Sequence, residues 1–175
     1  MPGGISSQRD VAELPGAVGI VALDEQGRVL LVRQYRHPVA RHLWEIPAGL
    51  LDSTTESAQE AGERELAEEG GLRAARWDTL VDVLTSPGMT DETVRVLLAR
   101  DLASVPADER HVGFHEEADL ELVWVPLAQA VQRVLAGDIE NGITTSGLLA
   151  AAAATAGGQS LRPADTPWPS RKGAS

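Results

Sequence analysis

Glu65, Glu68 and Glu69 are spaced three and four residues apart, so on a helix they share one face within an arc of roughly 100°. Side by side, such carboxylates repel one another by about a few tenths of a kcal/mol per pair. A divalent cation reverses the sign of that interaction. Oxygen donors in a chain without cysteine select a hard ion, Mg²⁺ or alternatively Mn²⁺, over zinc. The competing reading is a solvated glutamate-rich helix surface, which needs no ligand.

The segment around these residues carries helix signals at both ends. Ser53-Thr54-Thr55-Glu56 fits a capping box, with Ser53 as N-cap and Glu56 three positions on. Gly70-Gly71 supplies the stop, because glycine takes the left-handed terminal conformation cheaply. Ala58, Gly62 and Leu66 line the neighbouring stripe, a narrow packing face of small residues.

Gly49-Leu50-Leu51-Asp52, Glu56 and Arg64-Glu65-Leu66-Ala67-Glu68-Glu69-Gly70-Gly71-Leu72 together resemble the Nudix box. Every fixed position from Glu56 to Leu72 matches at the family spacing. The one departure is that six residues, not five, separate Gly49 from Glu56, with the extra residue in the loop before the helix. The resemblance implies an α/β fold, a Nudix-type α/β/α sandwich with a mixed central sheet. It implies Glu65 and Glu69 as principal metal ligands, Glu68 as a further ligand or supporting partner, and the Ala48 carbonyl completing the cage. Arg64 would orient a glutamate through an ion pair. Glu56 reads equally well as a cap or as structural support.

Two flanking strings narrow the resemblance. Arg33-Gln34-Tyr35-Arg36-His37-Pro38-Val39 with Leu43-Trp44-Glu45-Ile46-Pro47-Ala48-Gly49 is similar to the run before the box in ADP-ribose pyrophosphatases. Ser86-Pro87-Gly88-Met89-Thr90-Asp91-Glu92 resembles their downstream loop. The implied substrate contacts are Arg36, Glu45, Gly49, Leu50, Met89 and Glu92. Arg36 could offer a fork of donors to a phosphate, the alternative being a surface charge at a strand edge. Glu45 would accept from adenine or ribose groups. Trp44 and Trp77 offer either a stacking face for a base or packing mass for the core.

The implied reaction is Mg²⁺-dependent hydrolysis of ADP-ribose to AMP and ribose 5-phosphate. Other nucleoside diphosphate sugars or dinucleoside diphosphates are alternative substrates, and a non-catalytic nucleotide-binding sensor is the reading from another class. A general base must take the proton of the attacking water. Related enzymes supply it from the loop before the last strand, here His111 to Asp119, where Glu116 is slightly preferred to Glu117 and His115 is a rival. Glu116, Glu117 and Glu69 are thus the catalytic set.

These residues need a scaffold. Ala17–Leu23 and Arg28–Tyr35 are β-rich runs joined by Asp24-Glu25-Gln26-Gly27, a hairpin signature. A short extended piece at Leu43–Ile46 and strands at Asp78–Leu84, Thr93–Arg100 and Leu120–Pro126 follow. A helix closed by Gly137 and an alanine-rich helix from near Thr144 complete the pattern, so one mixed sheet covered by helices is expected. Residues 1–14 read as a flexible N-terminal segment, 15–156 as the Nudix domain and 157–175 as a disordered tail, with Trp168 its one candidate anchor.

Composition bounds the partners. With 26 acidic against 15 basic residues the net charge is −11, which excludes an electrostatic nucleic-acid binder but not a small phosphorylated ligand reached through a cation. The absence of cysteine excludes disulfides and thiolate catalysis. No apolar run of membrane-spanning length and no signal pattern is visible, so a cytoplasmic domain without membrane partners is expected. The family resemblance implies a homodimer, although only about 14 residues precede the segment where such dimers carry several strands.

Overall fold

The computed structural model describes residues 8–51, 55–106, 120–158 and 160–171. The chain runs β1 (Ala17–Ala22), β2 (Arg28–Arg36), a 3-10 turn (His37–Val39), β3 (Arg41–Glu45), β4 (Ala48–Leu50), α1 (Ala58–Gly70), β5 (Leu72–Leu84), β6 (Thr93–Ser104), β7 (Glu121–Pro126), α2 (Leu127–Ala136), α3 (Gly142–Gly157) and β8 (Arg162–Pro163).

Strand β1 is apolar without interruption, the pattern of a strand covered on both faces. It lies in a five-stranded mixed sheet of order β4-β1-β6-β5-β8, parallel to β6 and antiparallel to β4. Alternation along the strands sends side chains to two layers. On one face a Cβ added at Gly62 of α1 would meet Leu97 at 2.9 Å and Trp77 at 3.3 Å, with Ile20 at 3.7 Å. On the other, a Cβ at Gly147 of α3 would meet Val96 at 3.0 Å and Val21 at 3.1 Å. The expected α/β/α sandwich is therefore present, with glycines letting both helices approach the sheet closely.

Some details depart from the sequence expectation. The Asp24–Gly27 turn forms, with Gly27 N–H donating to the Asp24 carbonyl at 3.0 Å. Yet β1 and β2 meet only in a single bridge between Leu23 and Val29, and do not form a hairpin. Strand β2 instead pairs with β3 and β7 in a second, antiparallel sheet, so the one-sheet expectation is corrected to two. Both strands bury apolar residues on both faces, which a two-stranded ribbon does not cover. Strand β5 begins at Leu72, six residues before its expected start, because the alanine- and arginine-rich stretch finds a long partner in β6.

The ends are better held than their composition suggests. Over residues 8–14, Ala12 bridges Thr90 and Leu14 N–H donates to Asp91 Oδ1 at 3.0 Å, which corrects the flexible reading for these positions. Residues 160–171 likewise correct the disordered-tail reading. β8 pairs with β5, and Trp168 is buried in the core beneath α1. No helix of the described residues is long and apolar enough to cross a membrane.

Candidate active site

Helix α1 presents the glutamates. Its N-cap is Ser57, not Ser53: the Ser57 hydroxyl accepts from Glu60 N–H at 3.1 Å, and Glu60 Oε2 accepts from Ser57 N–H at 2.7 Å. The sequence contains a second Ser-x-x-Glu four residues after the first, and the helix starts from that one, while Glu56 hydrogen-bonds to Arg64. Ser53 and Thr54 lie outside the described residues. The helix ends as expected, with Gly71 left-handed at φ 62°. Ala58, Ala61, Gly62 and Leu66 form the buried stripe.

Glu65 is itself buried, at 9% exposure, and this decides against a merely solvated glutamate face. Its carboxylate lies in a cradle that only glycine permits: a Cβ at Gly49 would stand 1.9 Å from Oε1 and 2.0 Å from Cδ. Beside it Glu69 Oε2 accepts the backbone N–H of Ala48 at 3.0 Å. Two α1 carboxylates are thus docked on two successive residues of β4.

Arg64 organises the cluster. It donates to Glu65 Oε1 at 2.5 Å, to Glu68 Oε2 at 3.4 Å, to Glu56 Oε1 at 3.2 Å and to the Leu50 carbonyl at 3.1 Å. Burial alone would lower its pKa, but hydrogen bonds and charge from Glu56 and Glu65 outweigh this and raise it, so the cation is permanent. Glu56, Glu65 and Glu68 are thus gathered around one guanidinium.

A cavity of about 430 Å³ opens on the other side of β4, lined by Arg36, Glu45, Ala48, Gly49, Leu50 and Glu92 among others. The structure therefore brings five of the six expected substrate contacts together. Met89 is left out, 61% exposed on its loop and not among the lining residues. Arg36 and Glu45, expected to meet ligand separately, grip each other: Nε to Oε1 at 2.9 Å and Nη2 to Oε2 at 2.7 Å, with Glu45 only 2% exposed. Trp44 and Trp77 take packing roles, Trp44 under Arg33 and Trp77 against α1.

The sequence reading missed the far wall, where Asn141, Ile143 and Thr144 at the start of α3 line the cavity. Asn141 caps that helix by accepting from Thr144 N–H at 2.9 Å, a local signal that marks a helix start but not its neighbours. The Thr144 hydroxyl, fully buried, accepts from Ile46 N–H at 3.0 Å and so ties α3 to the strand carrying Glu45. Glu116, Glu117 and His115 lie outside the described residues.

Among the described residues no three acidic or histidine side chains converge on one point, Arg64 lying between Glu65 and Glu68. The donor set nonetheless fits a hard dication: Glu65 in its glycine cradle, Glu68 and Glu69 along the helix, and the Ala48 carbonyl, all oxygens. A carboxylate-bearing helix docked on Ala48 and Gly49, two residues that also line the cavity, is an arrangement suited to a metal-assisted hydrolase of phosphate compounds.

Comparison with known proteins gives that class its family. The NUDIX domain model matches residues 13–143. The chain is 50% identical to the ADP-ribose pyrophosphatase of Mycobacterium tuberculosis over 96% of its length and 80% of that protein. It is 35% identical to the ADP-ribose pyrophosphatase of Bacillus subtilis, over 82% of this chain and 76% of the relative. A crystal structure of an ADP compounds hydrolase superposes with a TM-score of 0.70 at 25% identity, covering 82% of this chain and 74% of that one. The chain belongs to the Nudix family and is a hydrolase; such enzymes use a divalent metal.

Proposed function

We propose that the protein hydrolyses ADP-ribose to AMP and ribose 5-phosphate with Mg²⁺ as its cofactor. The observation that carries this reading is the docking of Glu65 and Glu69 on Gly49 and Ala48, residues that also line the cavity where Arg36 and Glu45 pair. Both relatives of this substrate class match along most of the chain, which supports ADP-ribose as the first choice.

When bound, the dication supplies charge for the bridging phosphates and lowers the pKa of a water poised for in-line attack. The chain's own residues do the rest. Glu65, Glu68 and Glu69 hold the cation, and Arg64 fixes the rotamers of Glu65 and Glu68 so that they need not reorganise. The Arg36–Glu45 pair gives the cavity one wall with both a donor fork and buried carboxylate oxygens, suited to a nucleoside diphosphate. Glu116, with Glu117 as its rival, takes the water proton as the phosphorus–oxygen bridge breaks. Site residues and cation stand or fall together with this assignment.

We also take the working form to be a cytoplasmic homodimer. Val11, Leu84 and Met89 are each more than half exposed around one loop, with Ala12 N–H donating to the Met89 carbonyl.

The test is direct. With ADP-ribose and Mg²⁺ the protein releases AMP and ribose 5-phosphate, and with excess EDTA it releases neither. kcat/KM is highest for ADP-ribose among ADP-ribose, ADP-glucose and NADH. Tight binding without AMP would overturn catalysis in favour of a sensor, and turnover undiminished in EDTA would overturn the metal reading.

A further inference from the structure

Arg95 is an anomaly in the core: a cation on a central strand, 2% exposed. Its position in β6 puts it in line with Leu97 and Ala99, on the face of the sheet that α1 covers. Asp82, its cross-strand partner on β5, accepts from its Nε at 2.7 Å and Nη2 at 3.2 Å. The remaining donors go to the chain's last described segment: Nη1 to the Thr166 carbonyl at 2.6 Å and Nη2 to the Pro167 carbonyl at 3.3 Å. The Trp168 ring then lies over the guanidinium, 4.9 Å from its carbon to the ring centroid. From the edge, Arg162 of β8 closes the same cluster by donating to Asp82 Oδ2 at 2.8 Å.

What this clasp holds is the site's helix. Trp168 belongs to one buried cluster with Ala58, Ala61 and Leu66, and it lines a hollow together with Ser57, Ala58 and Gln59 at the start of α1. That helix has 13 residues and rests on small side chains, which bury little area of their own. An aromatic side chain of this kind buries roughly 150–250 Å², more than the alanines of the stripe. The ring is held by its face, since Nε1 finds no acceptor among the described residues.

We infer that Trp168 and Arg95 are positioning residues for the glutamate helix: the segment 161–168 wedges α1 so that Glu65 seats in the Gly49 cradle. Tolerance there is small, because a Cβ at Gly49 would already overlap the carboxylate. Loss of the wedge lets α1 slide along the sheet and unseats Glu65 and Glu69 together. This inference rests on the reading of α1 as the metal-holding helix.

The experiment compares the parent with Trp168→Ala, Trp168→Phe and Arg95→Met, all as full chains and without substrate. Amide hydrogen exchange is followed in metal-free protein, and MgCl₂ alone is titrated by calorimetry. Trp168→Ala and Arg95→Met should speed exchange in α1 about tenfold while leaving α3 unchanged, and weaken Mg²⁺ binding about tenfold. Trp168→Phe keeps an aromatic face for the Arg95 guanidinium while giving up the unpartnered N–H and part of the ring, and should restore most of both. Unchanged α1 exchange would overturn the inference, as would parallel acceleration of α1 and α3, which marks general destabilisation. If the parent binds no Mg²⁺, the metal reading fails and the exchange comparison alone still decides the wedge.

Discussion

A Cβ on Gly49 would stand 1.9 Å from Oε1 of Glu65. Strand β4 and helix α1 therefore share one volume, which the strand cedes to the carboxylate. Gly49→Ala meets the far end of a flexible side chain and not backbone, so Glu65 must move while the fold stands. The expected outcome is a Tm within about 3 °C of the parent. kcat/KM for ADP-ribose falls about 100-fold, as a misplacement of about 1 Å in a catalytic constellation can produce. Steady-state AMP release and calorimetry measure the two. Parental activity would show that the seat of Glu65 is dispensable.

Glu116→Gln separates proton transfer from metal holding. Its kcat is expected to fall by about 10²–10⁴-fold with Mg²⁺ affinity unchanged, and Glu117→Gln to lose far less. Near-normal turnover in Glu116→Gln with a collapse in Glu117→Gln would transfer the role to Glu117.

Arg36→Ala strands a buried charge. Glu45 is 2% exposed and loses two charge-assisted hydrogen bonds, so the variant should be less stable by about 1–3 kcal/mol. Adding Glu45→Gln to Arg36→Ala should recover part of that loss, because a neutral amide tolerates burial better than a carboxylate. Urea denaturation of the two single variants and the double variant closes the cycle. Additive losses would mean that the pair contributes nothing as a pair.

Asp82 gives the clasp a pH dependence. Burial would raise its pKa, but hydrogen bonds and charge from Arg95 and Arg162 outweigh this and hold it below the ordinary value of 3.8. A carboxyl depressed in the folded state stabilises above its unfolded value, and that contribution is lost as pH falls through the folded one. The Tm advantage of the parent over Asp82→Asn should be full at about pH 6 and shrink toward about pH 3. An advantage that does not change over this range would show that the Asp82 charge does not stabilise the clasp.

Some of the site was legible because it is written in short-range geometry. Glu65, Glu68 and Glu69 share a face by the helical repeat alone, and Gly71 ends the helix by its conformational freedom. The hydrogen bonds that join Arg64 to Glu56 and Glu65 lie within one short stretch of the box string. The choice between two Ser-x-x-Glu caps was not legible. Both satisfy the local rule, and in the folded chain Glu56 pairs with Arg64, eight residues on, while Ser57 and Glu60 close the box.

The sequence by itself thus determined the acidic helix, most of the strand runs and the −11 charge. Tertiary structure alone decided that β1 and β2 part into different sheets, that Arg36 is bound to Glu45, and that Trp168 stacks on a buried Arg95. The physical reason is separation along the chain. Periodicity and capping act over three or four residues, whereas Thr166 and Arg95 are 71 positions apart and Thr144 and Ile46 are 98. Such partners are selected by burial and unsatisfied donors in the packed molecule, which no local window contains.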